Sequence, residues 1–248
     1  MIDYYGHESR LKYMTCSQFK AFEKCESAAL AMVRGEYSQK TTPAMLAGSY
    51  VDAYFSGELA EFKSSHPELY TKTGTLRGEY KNCEQIIARI ERDSLMRAYV
   101  AEGSHQTVLE GMLEGVPIRG RLDAYKPGQR IVDLKVVKSL APTWVEDEGK
   151  MPFITAWRYD IQGAIYQYLE GNRLPFYIAA VSKEDEPDIE IYEIPQDVLD
   201  CALDYMRYHL PRYAAIKRGE VAPTRCERCE WCRRTKVLER PVVFESVI

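Results

Sequence analysis

The feature that most constrains this sequence of 248 residues is an apolar, strand-length segment that carries two opposite charges, I-V-D-L-K-V-V at 131–137. Side chains alternate between the two faces of a strand, so Asp133 and Lys135 share one face and Val132 and Leu134 share the other. A carboxylate and an ammonium group are costly inside a hydrophobic element unless they are paired or bind a ligand. The segment therefore predicts a sheet that contains a polar site.

A hairpin brings a second carboxylate toward the first. Asp123 lies near the end of the preceding strand-like segment, and a turn at 126–129 separates the two segments. A two-residue loop would pair Asp123 with Val132 and turn Asp133 to the opposite face, because a one-residue slip reverses every side chain. Carboxylates on a shared face therefore require a loop of odd length or a bulge, and Gly128 can adopt the positive φ that such a loop needs.

Two carboxylates a few ångströms apart repel each other and raise each other's pKa unless a cation holds them together. We therefore expect Mg²⁺ or Mn²⁺ at Asp123 and Asp133, with Lys135 placed to orient or activate a water molecule. The alternative interpretation makes Asp133 and Lys135 an ordinary solvent-facing pair on a one-sided sheet.

The pattern of the remaining sequence predicts the elements around this hairpin. Apolar residues recur at helical spacing before residue 103, and strand-like segments follow. The predicted helices cover about 17–35, 43–55, 80–100, 155–169 and 196–218, and the predicted strands lie within 105–137, 173–182 and 188–195. Helices, a three-stranded meander, a helix, two strands and a helix indicate an α/β (α+β) fold with a mixed central sheet flanked by helices.

The same pattern predicts one domain over residues 1–248. It would have a helical N-terminal part (1–103), a core (104–218) and a cysteine-rich C-terminal segment (219–248).

Charge and composition exclude several classes of protein. The net charge is −4, so the chain lacks an overall basic field that would draw it onto nucleic acid, although a local basic track remains compatible with this value. The sequence contains no G-x-x-x-x-G-K-[ST] loop, which argues against an ATP-driven motor. It also lacks an apolar run of the roughly 18 residues that a membrane span requires, and its start lacks the apolar stretch of a secretory signal. We expect a cytoplasmic protein without membrane contact.

The order of these motifs resembles a known family. D-(x)9-D-x-K on a hairpin, followed by a helix with Gln162 and Tyr166 in Q-x-x-x-Y, is similar to the PD-(D/E)XK nuclease superfamily. The likeness is strongest to RecE-like exonucleases of phages and prophages, the exonuclease VIII type, over most of the chain. It implies a restriction-endonuclease-like core in which Asp123, Asp133 and the carbonyl of Leu134 ligate the metal. Gln162 and Tyr166 would then fix the substrate or the lysine.

The resemblance also implies further ligands and DNA contacts. RecE-like sequences usually carry G-x-x-x-H in a helix, whereas this chain has Gly48 followed by Asp52. Hard cations prefer oxygen, so Asp52 is expected to ligate the metal in place of the histidine. Glu110 could supply another carboxylate, or it is a surface residue of an edge strand. Basic residues are expected to contact phosphates, unless they are ordinary surface charges: Arg77, Arg119, Arg121 and Lys138.

The activity that the resemblance implies is metal-dependent hydrolysis of linear duplex DNA from the 5′ end in phage-type recombination. The resulting 3′ single strand would pass to a RecT-like annealing protein, and the enzyme would be a ring-shaped homo-oligomer. Three alternatives stay open. They are an iron–sulfur nuclease of the AddB or CRISPR-adaptation type, an inactive nuclease-like module for DNA binding or assembly, and a zinc-stapled interaction protein.

Three of the seven cysteines form a C-x2-C-x2-C motif at Cys226, Cys229 and Cys232. This spacing predicts a structural metal site that is one thiolate short of the usual four. Similarity to iron–sulfur nucleases, which place one cysteine ahead of the core and three behind it, implies Cys25 as the fourth ligand, with Cys16 as the alternative. The site would hold a [4Fe-4S] cluster or Zn²⁺ and would staple the N-terminal helix to the C-terminal tail.

Overall fold

The computed structural model describes residues 4–238 and 240–241, and a five-stranded sheet lies at its centre. The strand order is β1-β2-β3-β6-β7; β3 and β6 pair in parallel and the other neighbours are antiparallel. These strands are β1 (Ser104–Leu113), β2 (Val116–Lys126), β3 (Arg130–Val137), β6 (Phe176–Ser182) and β7 (Ile189–Glu193). A separate hairpin consists of β4 (Thr143–Val145) and β5 (Gly149–Met151). The mixed sheet and its meander are as predicted.

Eleven α-helices are present in the described part of the chain, and none is long and apolar enough to cross a membrane. They are α1 (His7–Lys12), α2 (Cys16–Lys24), α3 (Glu26–Arg34), α4 (Pro43–Phe55), α5 (Leu59–Ser65), α6 (Asn82–Arg92), α7 (Ser94–Ala101), α8 (Phe153–Ala156), α9 (Tyr159–Glu170), α10 (Gln196–Arg218) and α11 (Glu230–Arg234). Short 3₁₀ helices cover Pro67–Leu69 and Gly78–Tyr80.

The helices cover both faces of the sheet. Phe19, Ile161 and other residues of α2, α3, α9 and α10 form one core with Ile131. Residues of α4, α6 and α7 form the second core with Val132 and Leu134. Neighbouring side chains of β3 therefore enter different cores, which explains its nearly continuous apolar sequence.

Three predicted helices are interrupted. The helix predicted over 17–35 breaks at Cys25, whose backbone is extended between α2 and α3. The helix predicted over 80–100 breaks at Asp93, whose side chain caps α7 by accepting from the backbone N–H of Met96 at 2.9 Å. The helix predicted over 155–169 breaks before α9, where Arg158 has φ +52°. The β4–β5 hairpin was not predicted, because strands of three residues are too short for a periodic signal.

The β2–β3 hairpin has the loop that the two carboxylates require. Lys126 pairs with Arg130, so the loop has the three residues 127–129, and Gly128 has φ +71°. The ladder continues to the pair Ala124 and Val132. Extending this register by one residue places Asp123 opposite Asp133, on the same face.

Candidate active site and cysteine cluster

The β2–β3 ladder ends where the two carboxylates face each other. Beyond Ala124 the backbones part, and Oδ2 of Asp123 accepts a hydrogen bond from the backbone N–H of Leu134 at 3.2 Å. The carboxylate of Asp123 thus accepts the hydrogen bond that a backbone carbonyl of β2 would accept in a regular ladder. The opening leaves room between the strands at a point where both bear carboxylates.

Asp133 is completely buried, and its two oxygens have different neighbours. Oδ1 accepts a hydrogen bond from the amide of Gln162, which also donates to the hydroxyl of Tyr166 at 2.9 Å. Oδ2 is in ion-pair contact with the ammonium group of Lys135 but accepts no well-aligned hydrogen bond. Gln162 and Tyr166 therefore lie at the candidate site, as the Q-x-x-x-Y motif predicts.

A third carboxylate, Asp52 of α4, lies beside the first two. The amide of Gln106 donates to both of its oxygens at 3.1 Å. Gln106 has φ +52° and lies opposite Asp123, where the β1–β2 pairing is interrupted. This left-handed conformation costs a residue with a side chain on the order of 1 kcal/mol. The sequence does not predict this role of Gln106, because nothing in a strand-like pattern marks a positive φ at glutamine.

Burial and mutual repulsion dominate the electrostatics of these carboxylates. Burial, Asp133 and Asp52 raise the pKa of Asp123 well above its usual range. Burial and Asp133 raise the pKa of Asp52 as well, against the lowering effect of Arg121. Burial lowers the pKa of Lys135, but Asp133 and Asp123 outweigh it, so that the pKa is raised and the ammonium form is retained. The carboxylates thus lie where additional positive charge would be stabilising.

The donor set fits a hard divalent cation. It consists of carboxylate oxygens, and one of them, Oδ2 of Asp133, is buried and contacts Lys135 without a well-aligned hydrogen bond. Asp123 and Asp133, with Asp52 beside them, are the residues that would hold such an ion.

A cleft of about 990 Å³ opens beside the carboxylates and is lined in part by Asp52, Asp123, Leu134 and Lys135. Trp144 and Trp157 stand on its wall with 77% and 52% of their surface exposed. Tryptophan side chains are highly buried on average and are enriched at interfaces, and stacking on nucleobases is one use of an exposed indole ring. Neither tryptophan was selected from the sequence. The signal available there was their position in the polar segment between β3 and α9.

The predicted phosphate contacts separate into two groups. Lys138 is exposed and lines the cleft, and Arg121 lies near Asp52, stacked over the rings of Tyr4 and Tyr5.

The structure does not bring the other two basic residues, or Glu110, to the cleft. Arg119 is 3% exposed and forms an ion pair with Glu110 at 3.1 Å, because the two residues face each other across β1 and β2. Glu110 also accepts from the hydroxyl of Tyr13 at 2.7 Å. Arg77 donates to the carbonyl of Tyr70 at 3.1 Å, which holds its own loop together.

The four predicted cysteines meet where the junction of α2 and α3 packs against α11. All Sγ atoms of Cys25, Cys226, Cys229 and Cys232 lie within 4.8 Å of one another, and all four are free thiols. Cys16, the alternative fourth ligand, is instead buried in the core with α9 and α10. We call these four residues the cysteine cluster.

Comparison with known proteins agrees with this geometry. The family described as "PDDEXK-like domain of unknown function (DUF3799)" matches residues 15–235. The crystal structure of a protein from Eubacterium rectale, named "Putative exonuclease", superposes with a TM-score of 0.92. The two sequences are 40% identical over 97% of this chain and 94% of that one.

A second crystal structure, that of SSO0001, is 15% identical over 78% of this chain and 83% of that one, with a TM-score of 0.31. No curated protein matches the chain.

Proposed function

The chain belongs to the PDDEXK-like family DUF3799 and has the fold of a PD-(D/E)XK nuclease, and from this premise we propose that it is a divalent-metal-dependent DNA exonuclease. The observation that carries the proposal is the convergence of Asp123, Asp133 and Lys135 at one opening between β2 and β3, beside a large cleft. The name of the Eubacterium rectale protein supports the same class of reaction.

Asp123 and Asp133 would hold Mg²⁺ or Mn²⁺, and Asp52 would complete the acidic site. The ion, when bound, would stabilise negative charge on the phosphate and on the leaving oxygen. Gln162 fixes one oxygen of Asp133, and the other oxygen faces Lys135. Gln106, from β1, holds Asp52 by donating to both of its oxygens.

Lys135 would orient the attacking water and stabilise the phosphate as a cation rather than abstract a proton. Its pKa is raised by Asp133 and Asp123 although burial opposes this, so the ammonium group has no lone pair to accept a proton at neutral pH. Side-chain exposure of 21% lets it reach the cleft. An ammonium group at this position can donate hydrogen bonds to a water molecule or to a phosphate oxygen.

Binding of DNA in the cleft would place a phosphate against the carboxylates. Lys138 and Lys183 supply positive charge there, and Trp144 and Trp157 offer faces for nucleobases. Such local charge is compatible with a net charge of −4.

The finer features of the proposal rest on the resemblance to RecE-like enzymes. They are linear duplex DNA as substrate, degradation from the 5′ end, a role in phage-type recombination, a RecT-like annealing partner and a homo-oligomeric ring.

The test is hydrolysis of linear duplex DNA labelled at either the 5′ or the 3′ end, with Mg²⁺, Mn²⁺ or EDTA. We expect metal-dependent loss of label that begins at 5′ ends and is absent on circular DNA. In Lys135→Ala the rate should fall by about 10²- to 10³-fold, as when a transition-state charge contact is removed. Lys236→Ala, at an exposed lysine after α11 that does not line the cleft, is the matched control and should keep full activity. Wild-type protein that binds DNA ends but never cleaves them would instead favour an inactive DNA-binding module.

A further inference from the structure

The cysteine cluster has a spacing that distinguishes between the two kinds of metal site expected from the sequence. Sγ of Cys232 lies 3.6 Å from Sγ of Cys25 and 3.9 Å from Sγ of Cys226, and no pair among the four exceeds 4.8 Å. None of these four cysteines forms a disulfide. Four sulfurs this close, from segments about 200 residues apart in sequence, are explained best by a common partner.

A single tetrahedral ion matches this spacing. Zinc–sulfur bonds of about 2.3 Å in a regular tetrahedron put the sulfurs about 3.8 Å apart. In a four-iron cluster each thiolate binds a different iron, so the sulfurs are separated by the width of the whole cluster. We infer that Cys25, Cys226, Cys229 and Cys232 bind one Zn²⁺ ion, and that the site does not fit a [4Fe-4S] cluster.

The local backbone is arranged around such an ion. Cys25 has an extended backbone at the break between α2 and α3, so its side chain does not follow the side-chain direction of either helix. In the C-terminal segment, Cys226 Sγ accepts from the N–H of Cys229 at 3.3 Å, and Cys229 Sγ accepts from the N–H of Cys232 at 3.5 Å. Hydrogen bonds from N–H groups to ligating sulfurs orient the ligands and stabilise their thiolate charge.

Neighbouring contacts show what the ion would join. Glu26, directly after Cys25, is 8% exposed and accepts from the guanidinium of Arg212 at 2.6 and 2.8 Å. It also accepts from the backbone N–H and the hydroxyl of Thr224 at 2.8 Å. The zinc site would therefore continue a polar junction among α3, α10 and the C-terminal segment, with the role of a structural clasp.

The clasp has a connection to the cleft. α2 begins at Cys16 and ends beside Cys25, and its Lys20 donates to the carbonyl of Trp157 at 2.9 Å. Trp157 lines the cleft. An ion at Cys25 would therefore fix the end of the helix that supports this cleft residue. The inference does not depend on the proposed nuclease activity, since it concerns metal identity and protein stability.

The experiment is metal analysis of the full-length protein purified under anaerobic conditions, combined with X-ray absorption at the zinc edge. We expect one zinc per chain, no iron and no acid-labile sulfide, with four sulfur neighbours at about 2.3 Å. Four irons with labile sulfide, or a protein without metal at this site, would overturn the inference. The zinc content and the zinc–sulfur distances are measured without reference to nuclease activity, which would depend on Mg²⁺ at the carboxylates. A protein that does not cleave DNA could therefore still confirm the zinc site.

Substitutions assign the ligand. Cys25→Ser should release zinc to a chelator at least tenfold faster than wild type, whereas Cys16→Ser and the exposed Cys201→Ser should retain it. If Cys25→Ser does not fold, exchange of wild-type zinc for Co²⁺ replaces this test. Visible absorption of a tetrahedral cobalt–thiolate site is expected, and a spectrum without thiolate-to-cobalt bands would refute four-cysteine ligation.

Discussion

Gln162 of α9 donates its amide to Asp133 of β3, so one hydrogen bond connects the helix packed on the sheet to the buried carboxylate of the candidate site. The same amide donates to Tyr166 one helical turn later, which fixes its orientation. Asp133 is inaccessible to solvent, so no water can replace this donor without a change in packing. Gln162 is thus a positioning residue that would act through Asp133.

The first prediction concerns this contact. Gln162→Leu should lower kcat for DNA hydrolysis by about 10- to 100-fold and raise the Mg²⁺ concentration needed for half-maximal rate, with little change in KM for DNA, because a misoriented carboxylate binds metal less well. Initial rates over a Mg²⁺ titration measure both effects. Gln167→Leu, on the same helix, removes hydrogen bonds to Leu174 and Gln196 and should lower stability while kcat stays unchanged. Equal effects of the two variants on kcat would refute the positioning role.

The second prediction concerns the repulsion among the buried carboxylates. In EDTA, Asp123→Asn should stabilise the protein by about 1–3 kcal/mol at pH 8, because Asn keeps an acceptor for Leu134 and removes a charge that burial and Asp133 disfavour. The folded-state pKa of Asp123 is raised, so wild-type stability falls as pH rises above the unfolded value of about 4. The advantage of Asn should therefore grow with pH.

Urea unfolding between pH 5 and pH 8 measures this difference. Asp160→Asn is the matched control, since Asp160 forms an ion pair with Arg158 at 3.1 Å and its loss should destabilise the protein. Destabilisation by Asp123→Asn at pH 8 without metal would show that the carboxylates do not repel. In the presence of Mg²⁺, the variant should also lose the stabilisation that the ion gives to wild type.

Much of this site could be predicted because charged residues are conspicuous in an apolar strand. Asp133 and Lys135 stand out in β3, and the requirement for a loop of odd length follows from strand periodicity alone. Arg119 was misplaced for the same reason. Its charge suggested a DNA contact, but its partner Glu110 lies across the β1–β2 pair, and only the register reveals it.

Gln106 and the helix break at Cys25 could not be predicted by the same reasoning. Both depend on a backbone conformation that tertiary contacts impose. Gln106 has a positive φ and donates to Asp52, and Cys25 has an extended backbone and lies beside cysteines from the other end of the chain. Local propensity favours a continuous strand and a continuous helix at these places, and long-range contacts override it.

The third prediction compares two helical glycines. A Cβ on Gly163 of α9 would lie 2.3 Å from the ring of Phe176 and 2.8 Å from Leu199, whereas a Cβ on Gly48 of α4 would meet nothing within 4 Å. Gly163→Ala should lower the free energy of unfolding by about 1–3 kcal/mol through overpacking. Gly48→Ala should raise it by about 0.5–1 kcal/mol through helix propensity. Denaturant titration of both variants decides this, and a neutral Gly163→Ala would contradict the packing of α9 on the sheet.

The fourth prediction concerns Lys217, a half-buried lysine that belongs to neither site. Burial lowers the pKa of Lys217 to about 8, while its ammonium group donates to the carbonyl of Tyr13 at 2.7 Å and to Gln18 at 2.9 Å. The unfolded chain keeps its proton up to about pH 10.4, so wild-type stability should gain with pH between these two values. The stability of Lys217→Met does not rise in this way, because methionine does not titrate. The free energy of unfolding of the variant minus that of wild type should therefore be larger at pH 7 than at pH 10, by about 1–2 kcal/mol when partial solvent contact is allowed for.

Urea unfolding of wild type and Lys217→Met at both pH values measures this change. Lys150→Met removes an exposed lysine, and its stability difference from wild type should stay constant. A constant difference for Lys217→Met as well would mean that the lysine is solvated as fully as Lys150.

The last prediction concerns the two exposed tryptophans of the cleft. If nucleobases stack on Trp144 and Trp157, each substitution to Ala should weaken binding of single-stranded oligothymidine by 1–3 kcal/mol, or about 5- to 150-fold in Kd. Binding is measured with Lys135→Ala as the background, because this variant should bind without cleaving. Phe keeps an aromatic face, so Trp144→Phe should retain most of the affinity that Trp144→Ala loses.

Trp231→Phe provides the internal control for this measurement. Trp231 packs against Tyr37 and donates to Ser27, away from the cleft, so its substitution should leave binding unchanged. Quenching of the remaining tryptophan fluorescence reports base stacking directly in each single variant. If both alanine variants bind as tightly as the Lys135→Ala background, Trp144 and Trp157 do not contact bases. DNA affinity must then come from the lysines of the cleft and from the metal site.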